Sequence, residues 1–196
     1  MTDEHESTKI VTLGIGGNDI GFTEIAKRCV ELFVSQRTGS PCRDHDNQGG
    51  VDEIGTRLTT LTPALDAVLD GIDARAPGAK VFVVGYPAVL PETTERFELC
   101  QPVLPVAAGD VAFLRDEVEK RLNATVRWVA SAHGEVFVDT DAPSIGHDAC
   151  KPPGIRWVEP VAPAMDAAPV HPNRLGMAAT ADAVRAAMRA NGVAVG

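Results

Sequence analysis

Two groups of residues have types and spacing that could do chemistry. The first is Gly14-Ile15-Gly16-Gly17-Asn18-Asp19-Ile20-Gly21-Phe22, directly after a short β-branched run. Glycines let a backbone turn sharply and let a ligand come close to it. An asparagine placed there can aim its side-chain NH₂ at a developing oxyanion, a contribution of about 3–4 kcal/mol in acyl-transfer sites. A phosphate loop would add a lysine and a Ser/Thr, and a dinucleotide fingerprint would space the glycines differently; the segment has neither pattern. The second group is Pro169-Val170-His171-Pro172-Asn173-Arg174-Leu175-Gly176. It sets a histidine just before a helix start, between prolines that stiffen the loop, and a general base needs such fixed placement. Asp44-His45-Asp46 and His147-Asp148 contain metal-ligand types but not the helix-borne His-Glu-x-x-His spacing, so solvated loop polarity is the simpler reading. A metal-dependent hydrolase or binder built on them is a distant alternative. Trp157, near Ile155 and Val158, is equally an acyl-pocket wall or a packing residue, and His5 and His133 carry no chemical hypothesis.

Three apolar runs are expected to be the strands that position these groups: Lys9 to Gly16, Lys80 to Gly85, and Glu135 to Asp139. Helical spacing follows between them. Ile54, Leu58, Leu61, Leu65, Val68, Leu69 and Ile72 form one apolar stripe, with Pro63 expected to kink it or to start a second helix. Val111, Leu114, Val118, Leu122, Val126 and Val129 form another, and a last helix is expected from the N-cap Asn173 to Asn191-Gly192. Strands alternating with amphipathic helices predict an α/β fold with a mostly parallel sheet, whose ligands gather beyond the strands' carboxyl ends. The stretch from Asp139 to Pro172 contains seven prolines and reads as a functional surface loop.

Composition excludes several classes. The 196 residues, 44% of them hydrophobic, suit one domain over residues 1–196, and a formal charge of −9 disfavours a nucleic-acid partner. No apolar run approaches the roughly 18 residues needed to span a bilayer. The start, Met1 to Lys9, has neither the basic residues nor the apolar stretch of an export signal. The four cysteines are spaced like neither a redox pair nor a zinc ladder, so two disulfides are expected. Of the three possible pairings, Cys29 with Cys42 and Cys100 with Cys150 is preferred, because the first closes a short polar loop; four buried free thiols are the alternative.

Gly-Gly-Asn-Asp after a strand, with His-Pro-Asn before the last helix, resembles the third and fifth sequence blocks of the SGNH (GDSL-type) serine hydrolases. The Gly85-Tyr86-Pro87 strand end, the stretch from Gly146 to Cys150 and the cysteine placement resemble secreted bacterial members. The resemblance implies a three-layer α/β/α sandwich, flavodoxin-like, and hydrolysis of small-molecule or lipid esters through an acyl-serine intermediate with no cofactor. It assigns Asn18 to the oxyanion hole and His171 to the general base, and it implies an extracellular location for the complete protein.

This chain departs from the family pattern in its nucleophile. It has no Gly-Asp-Ser motif, and Ser7, Ser35, Ser40, Ser131 and Ser144 stand in turn or cap contexts. The domain is therefore expected to be incomplete at its N-terminus, with an unpaired sheet edge and little activity alone. A non-catalytic module that binds acylated glycans or lipids is the rival reading. The aspartate that many members place three residues before the histidine is replaced here by Ala168. Either Asp166 or, preferably, the Pro169 carbonyl then orients the imidazole.

Overall fold

The computed structural model describes residues 7–195, so His5 lies outside the described residues. Three strands, β1 (Ile10–Leu13), β2 (Lys80–Val84) and β3 (Val136–Val138), pair in parallel in that order. Ile10 stands opposite Lys80, and Phe82 opposite Val136. Side chains alternate across a strand, so β2 packs two layers at once. Val81 and Val83 join Ile25 of α1 (Phe22–Ser35), Leu61 and Leu65 of α3 (Glu53–Arg75), and Leu122 and Val126 of α5 (Arg121–Ala132). On the other face, Phe82 and Val138 pack against Met188 of α7 (Arg174–Ala190). The result is the expected three-layer α/β/α sandwich. Among the described residues β1 pairs only with β2, and its residues are exposed or half-buried where Val81, Phe82 and Val83 are buried.

Pro63 neither breaks nor restarts its helix: α3 runs unbroken through it from the N-cap Asp52, whose carboxylate accepts the Gly55 N–H. Pro63 and Thr59 both lie on the exposed face, so the carbonyl left without its donor meets water. Leu58, Leu61, Leu65 and Leu69 hold the buried face in line. The stripe from Val111 onward is one continuous helical run of three parts: α4 (Asp110–Ala112), a π-helical segment (Phe113–Lys120) and α5. A π turn accommodates one more residue than an α turn. Val118 and Glu119 within the π segment, and Leu122 and Asn123 at the start of α5, enter the interior as adjacent pairs.

The helices α1 and α2 (Pro41–Asp46) fall where no helix was expected. The bridge Cys29–Cys42 joins them, and Cys100–Cys150 ties the chain ahead of α4 to the loop after β3, so both expected pairings are present. The buried Asp110 carboxylate accepts the Cys42 and Arg43 N–H groups at 3.1 and 3.0 Å, capping the start of α2 from a distant part of the chain. The proline-rich stretch after β3 is irregular apart from α6 (Asp141–Ser144) and an antiparallel bridge between Val158 and Pro172.

Candidate active site

A cavity of about 330 Å³ opens beyond the carboxyl ends of β1 and β2, at the small end of the roughly 300–1,000 Å³ range of ligand pockets. Gly17 and Asn18 line it from the loop after β1, Tyr86 and Val89 from the segment after β2, and His171 from the loop before α7. Glu119, Leu122 and Val158 complete the wall. Asn18 and His171, the two residues singled out in the sequence, thus share one cavity.

His171 is exposed on its loop, and its Nδ1 lies 2.8 Å from the Pro169 carbonyl oxygen. A carbonyl only accepts, so Nδ1 carries the proton and Nε2 keeps a lone pair. No contact joins Asp166 to the imidazole among the described residues. The loop itself is held from both sides. Glu159 N–H donates to the His171 carbonyl at 2.9 Å, Val170 N–H to the Glu159 carbonyl at 3.0 Å, and Asn173 N–H to the Trp157 carbonyl at 2.8 Å. Val170 has φ +54°, a strained conformation for a β-branched residue, and it too lines the cavity.

Buried side chains keep that strained loop in place. The Glu159 carboxylate accepts from Arg156 at 2.8 Å, Met165 N–H at 2.9 Å and Asn173 Nδ2 at 3.1 Å. Burial works against its charge, but these three donors outweigh burial and hold it below the usual glutamate range. Asn173 meanwhile caps α7 by accepting from the Leu175 and Gly176 N–H groups. A Cβ on Gly176 would collide with the Trp157 carbonyl, so glycine there permits the close approach of helix and loop.

The Asn18 side firmly engages the segment after β2. Gly17 N–H donates to the Tyr86 hydroxyl at 2.8 Å, while the exposed Asn18 amide makes no hydrogen bond among the described residues. Past the end of β2 the backbone donors lose their ladder partners, and side chains replace them. Tyr86 N–H goes to Asn123 Oδ1 at 2.8 Å, Ala88 N–H to Ser144 Oγ at 2.7 Å and Val89 N–H to Glu119 Oε2 at 3.0 Å. Burial, reinforced by Asp141 and Glu92, pushes the Glu119 carboxyl up to about 8 against the Val89 N–H, so this acid puts no charge on the cavity wall at neutral pH. Glu119, Asn123, Ser144 and the Glu159 network were not anticipated from the sequence. Buried acids and amides look the same there as surface ones.

The remaining candidates sit elsewhere. Ser35 and Ser131 bond back to helix carbonyls, Ser144 holds Ala88, and no described serine lines the cavity. His45, Asp46 and Glu53 cluster closely enough to hold an ion, but Arg28 bonds both carboxylates and supplies the positive charge a metal would bring. His147 stacks on Trp157 with ring centroids 4.1 Å apart, so this tryptophan packs against the loop rather than lining the cavity. His133 lies between Asp66 and Asp70, with Nε2 3.1 Å from the former.

Residues 2–179 match the model of the GDSL-like lipase/acylhydrolase family. The chain belongs to this family. It is 43% identical over 171 residues to Lipase 2 of Streptomyces coelicolor, covering 86% of this chain and 56% of that relative. It is 30% identical over 162 residues to an esterase of Streptomyces scabiei, covering 74% of this chain and 47% of that protein. Family membership thus comes with a difference in length: the chain spans about half of the curated relatives it matches. Its fold matches phospholipase A1 from Streptomyces albidoflavus with a TM-score of 0.72 at 25% identity, over 92% of this chain and 70% of that one. The extracellular lipase of Streptomyces rimosus matches with a TM-score of 0.70 at 26% identity, over 93% and 70% of the two chains.

Proposed function

We propose that the complete protein is a secreted hydrolase of carboxylic esters, with His171 as general base and Asn18 as oxyanion donor. A serine on a segment beyond this chain supplies the nucleophile. One observation carries the reading: His171 has its Nδ1 proton on the Pro169 carbonyl and its Nε2 free, on the same cavity wall system as the unpaired Asn18 amide. Nε2 would take the serine proton as the oxygen attacks the ester carbonyl, and return it to the leaving alcohol. Asn18 would donate to the oxyanion formed in between. The apolar wall of Leu122, Val89, Val158 and Phe22 suits an acyl chain. Two disulfides support an oxidising destination.

The absence of a serine from the cavity lining, among the described residues, favours a second reading, a module that binds acylated glycans or lipids without cleaving them. Hydrolysis of a short p-nitrophenyl ester separates the two. This chain is expected to be nearly inactive. Joined to an upstream segment carrying a Gly-Asp-Ser strand, it should gain activity that His171→Ala removes by several orders of magnitude. A folded joined protein without activity would sink the hydrolase reading, and activity that survives His171→Ala would sink His171 as its general base.

A further inference from the structure

Tyr86 is placed with more care than burial of an aromatic ring requires. Asn123 clamps its main chain from both sides, accepting its N–H at 2.8 Å and donating to its carbonyl at 2.9 Å. Gly85 is what lets Asn123 come that close, since a Cβ there would stand 2.9 Å from Asn123 Oδ1 and 2.7 Å from the Phe137 ring. At the other end of the side chain, a Cβ on Gly17 would stand 3.0 Å from the phenol. Two glycines and a buried amide therefore fix where the Tyr86 oxygen sits. Tyr86 lines the cavity together with Asn18 and its neighbour Gly17, whose N–H the Tyr86 oxygen accepts.

A phenol has one proton to donate besides the lone pairs it offers. Here a lone pair is occupied, and the described residues present no acceptor for the proton. We propose that Tyr86 contacts the substrate, its hydroxyl donating to an ester oxygen held in the cavity beside Asn18. This rests on the ester-hydrolase reading above and adds a residue to it. The ligand class is a neutral acyl ester, whose carbonyl oxygen accepts while its carbon chain lies along Leu122 and Val158. Burial, with help from Asp19, raises the phenol above its ordinary range despite the Gly17 N–H, so the donor keeps its proton at neutral pH.

Tyr86 is the only tyrosine in the chain, so biosynthetic 3-fluorotyrosine gives a single ¹⁹F line that reports on this hydroxyl. Methyl butyrate and benzene serve as the oxygen-bearing and oxygen-free probes, titrated into this chain while the Asn18 side-chain amide is followed by NMR. Methyl butyrate is expected to shift both signals. Tyr86→Phe should weaken it about tenfold, as loss of one buried hydrogen bond does, and leave benzene within about twofold. Equal weakening of both probes, or ester binding indifferent to Tyr86→Phe, overturns the assignment alone. Should Tyr86→Phe fail to fold, the fluorinated native chain decides: an ester that moves Asn18 without moving the ¹⁹F line refutes it. If methyl butyrate moves neither Asn18 nor any other cavity residue, the ester-site reading fails first and Tyr86 falls with it.

Discussion

His171 and Glu119 show how one cavity can set two ionisable groups to opposite tasks. The imidazole is exposed and tied through Nδ1 to a carbonyl, which fixes its tautomer without any carboxylate. Asp166→Asn should therefore leave ester hydrolysis by the complete enzyme within about threefold of the parent; a loss of several orders of magnitude would show that Asp166 orients the ring. Glu119 is buried and held neutral. Its carboxyl titrates near about 8 in the folded state against an ordinary 4.5, so between those values the folded chain keeps a proton that the unfolded chain releases. Stability contributed by this group is full below the lower value and falls as pH rises toward the upper one. Urea unfolding from about pH 5 to about pH 8 should show the parent losing up to about 1.4 kcal/mol per pH unit relative to Glu119→Gln. Parallel curves for the two proteins would mean that Glu119 ionises normally.

The helix α7 and the loop before it depend on one amide. Asn173 caps α7 through Oδ1 and reaches the Glu159 carboxylate and the Arg156 carbonyl through Nδ2. Asn173→Ala should cost about 2–4 kcal/mol, from the cap and from the buried acceptors left unpaired, and should release the His171 loop. Loss of only a few tenths in chemical denaturation would show that water replaces it. This element was half legible in the sequence. The cap, the prolines and the apolar spacing place α7, and β-branched runs place all three strands, because these signals are local. Phe22, Ile25, Cys29 and Phe33 carry helical spacing too, so α1 was there to be found beside the glycine segment that precedes it. The repeated four-residue step from Leu114 to Val126 was likewise a sign of the π segment. What the sequence hides is pairing at a distance. Nothing local marks Glu119 as the acceptor for Val89, Asn123 for Tyr86, or Glu159 for Asn173, since each meets its partner only once the layers close.

At the scale of the whole chain, the two bridges staple different spans. Cys29–Cys42 closes a separation of 13 residues and Cys100–Cys150 one of 50. In the chain-entropy account they stabilise the fold by about 3 and about 4 kcal/mol. Replacing Cys100 and Cys150 by alanine should therefore lower the melting temperature more than replacing Cys29 and Cys42, and the unfolded, unreduced parent should show no reactive thiol. The reverse order would point to native-state packing at Cys29 rather than loop closure. The outer side of β1 has no partner among the described residues, and that vacancy has a direction. A strand running parallel to β1 would bring its carboxyl end to the rim where Asn18, Tyr86 and His171 meet; one running antiparallel would bring its carboxyl end to the opposite rim. Polarity of pairing at this edge thus separates two products that use similar backbone hydrogen bonds: a joined enzyme with its nucleophile at the cavity, and a stacked pair of chains with none.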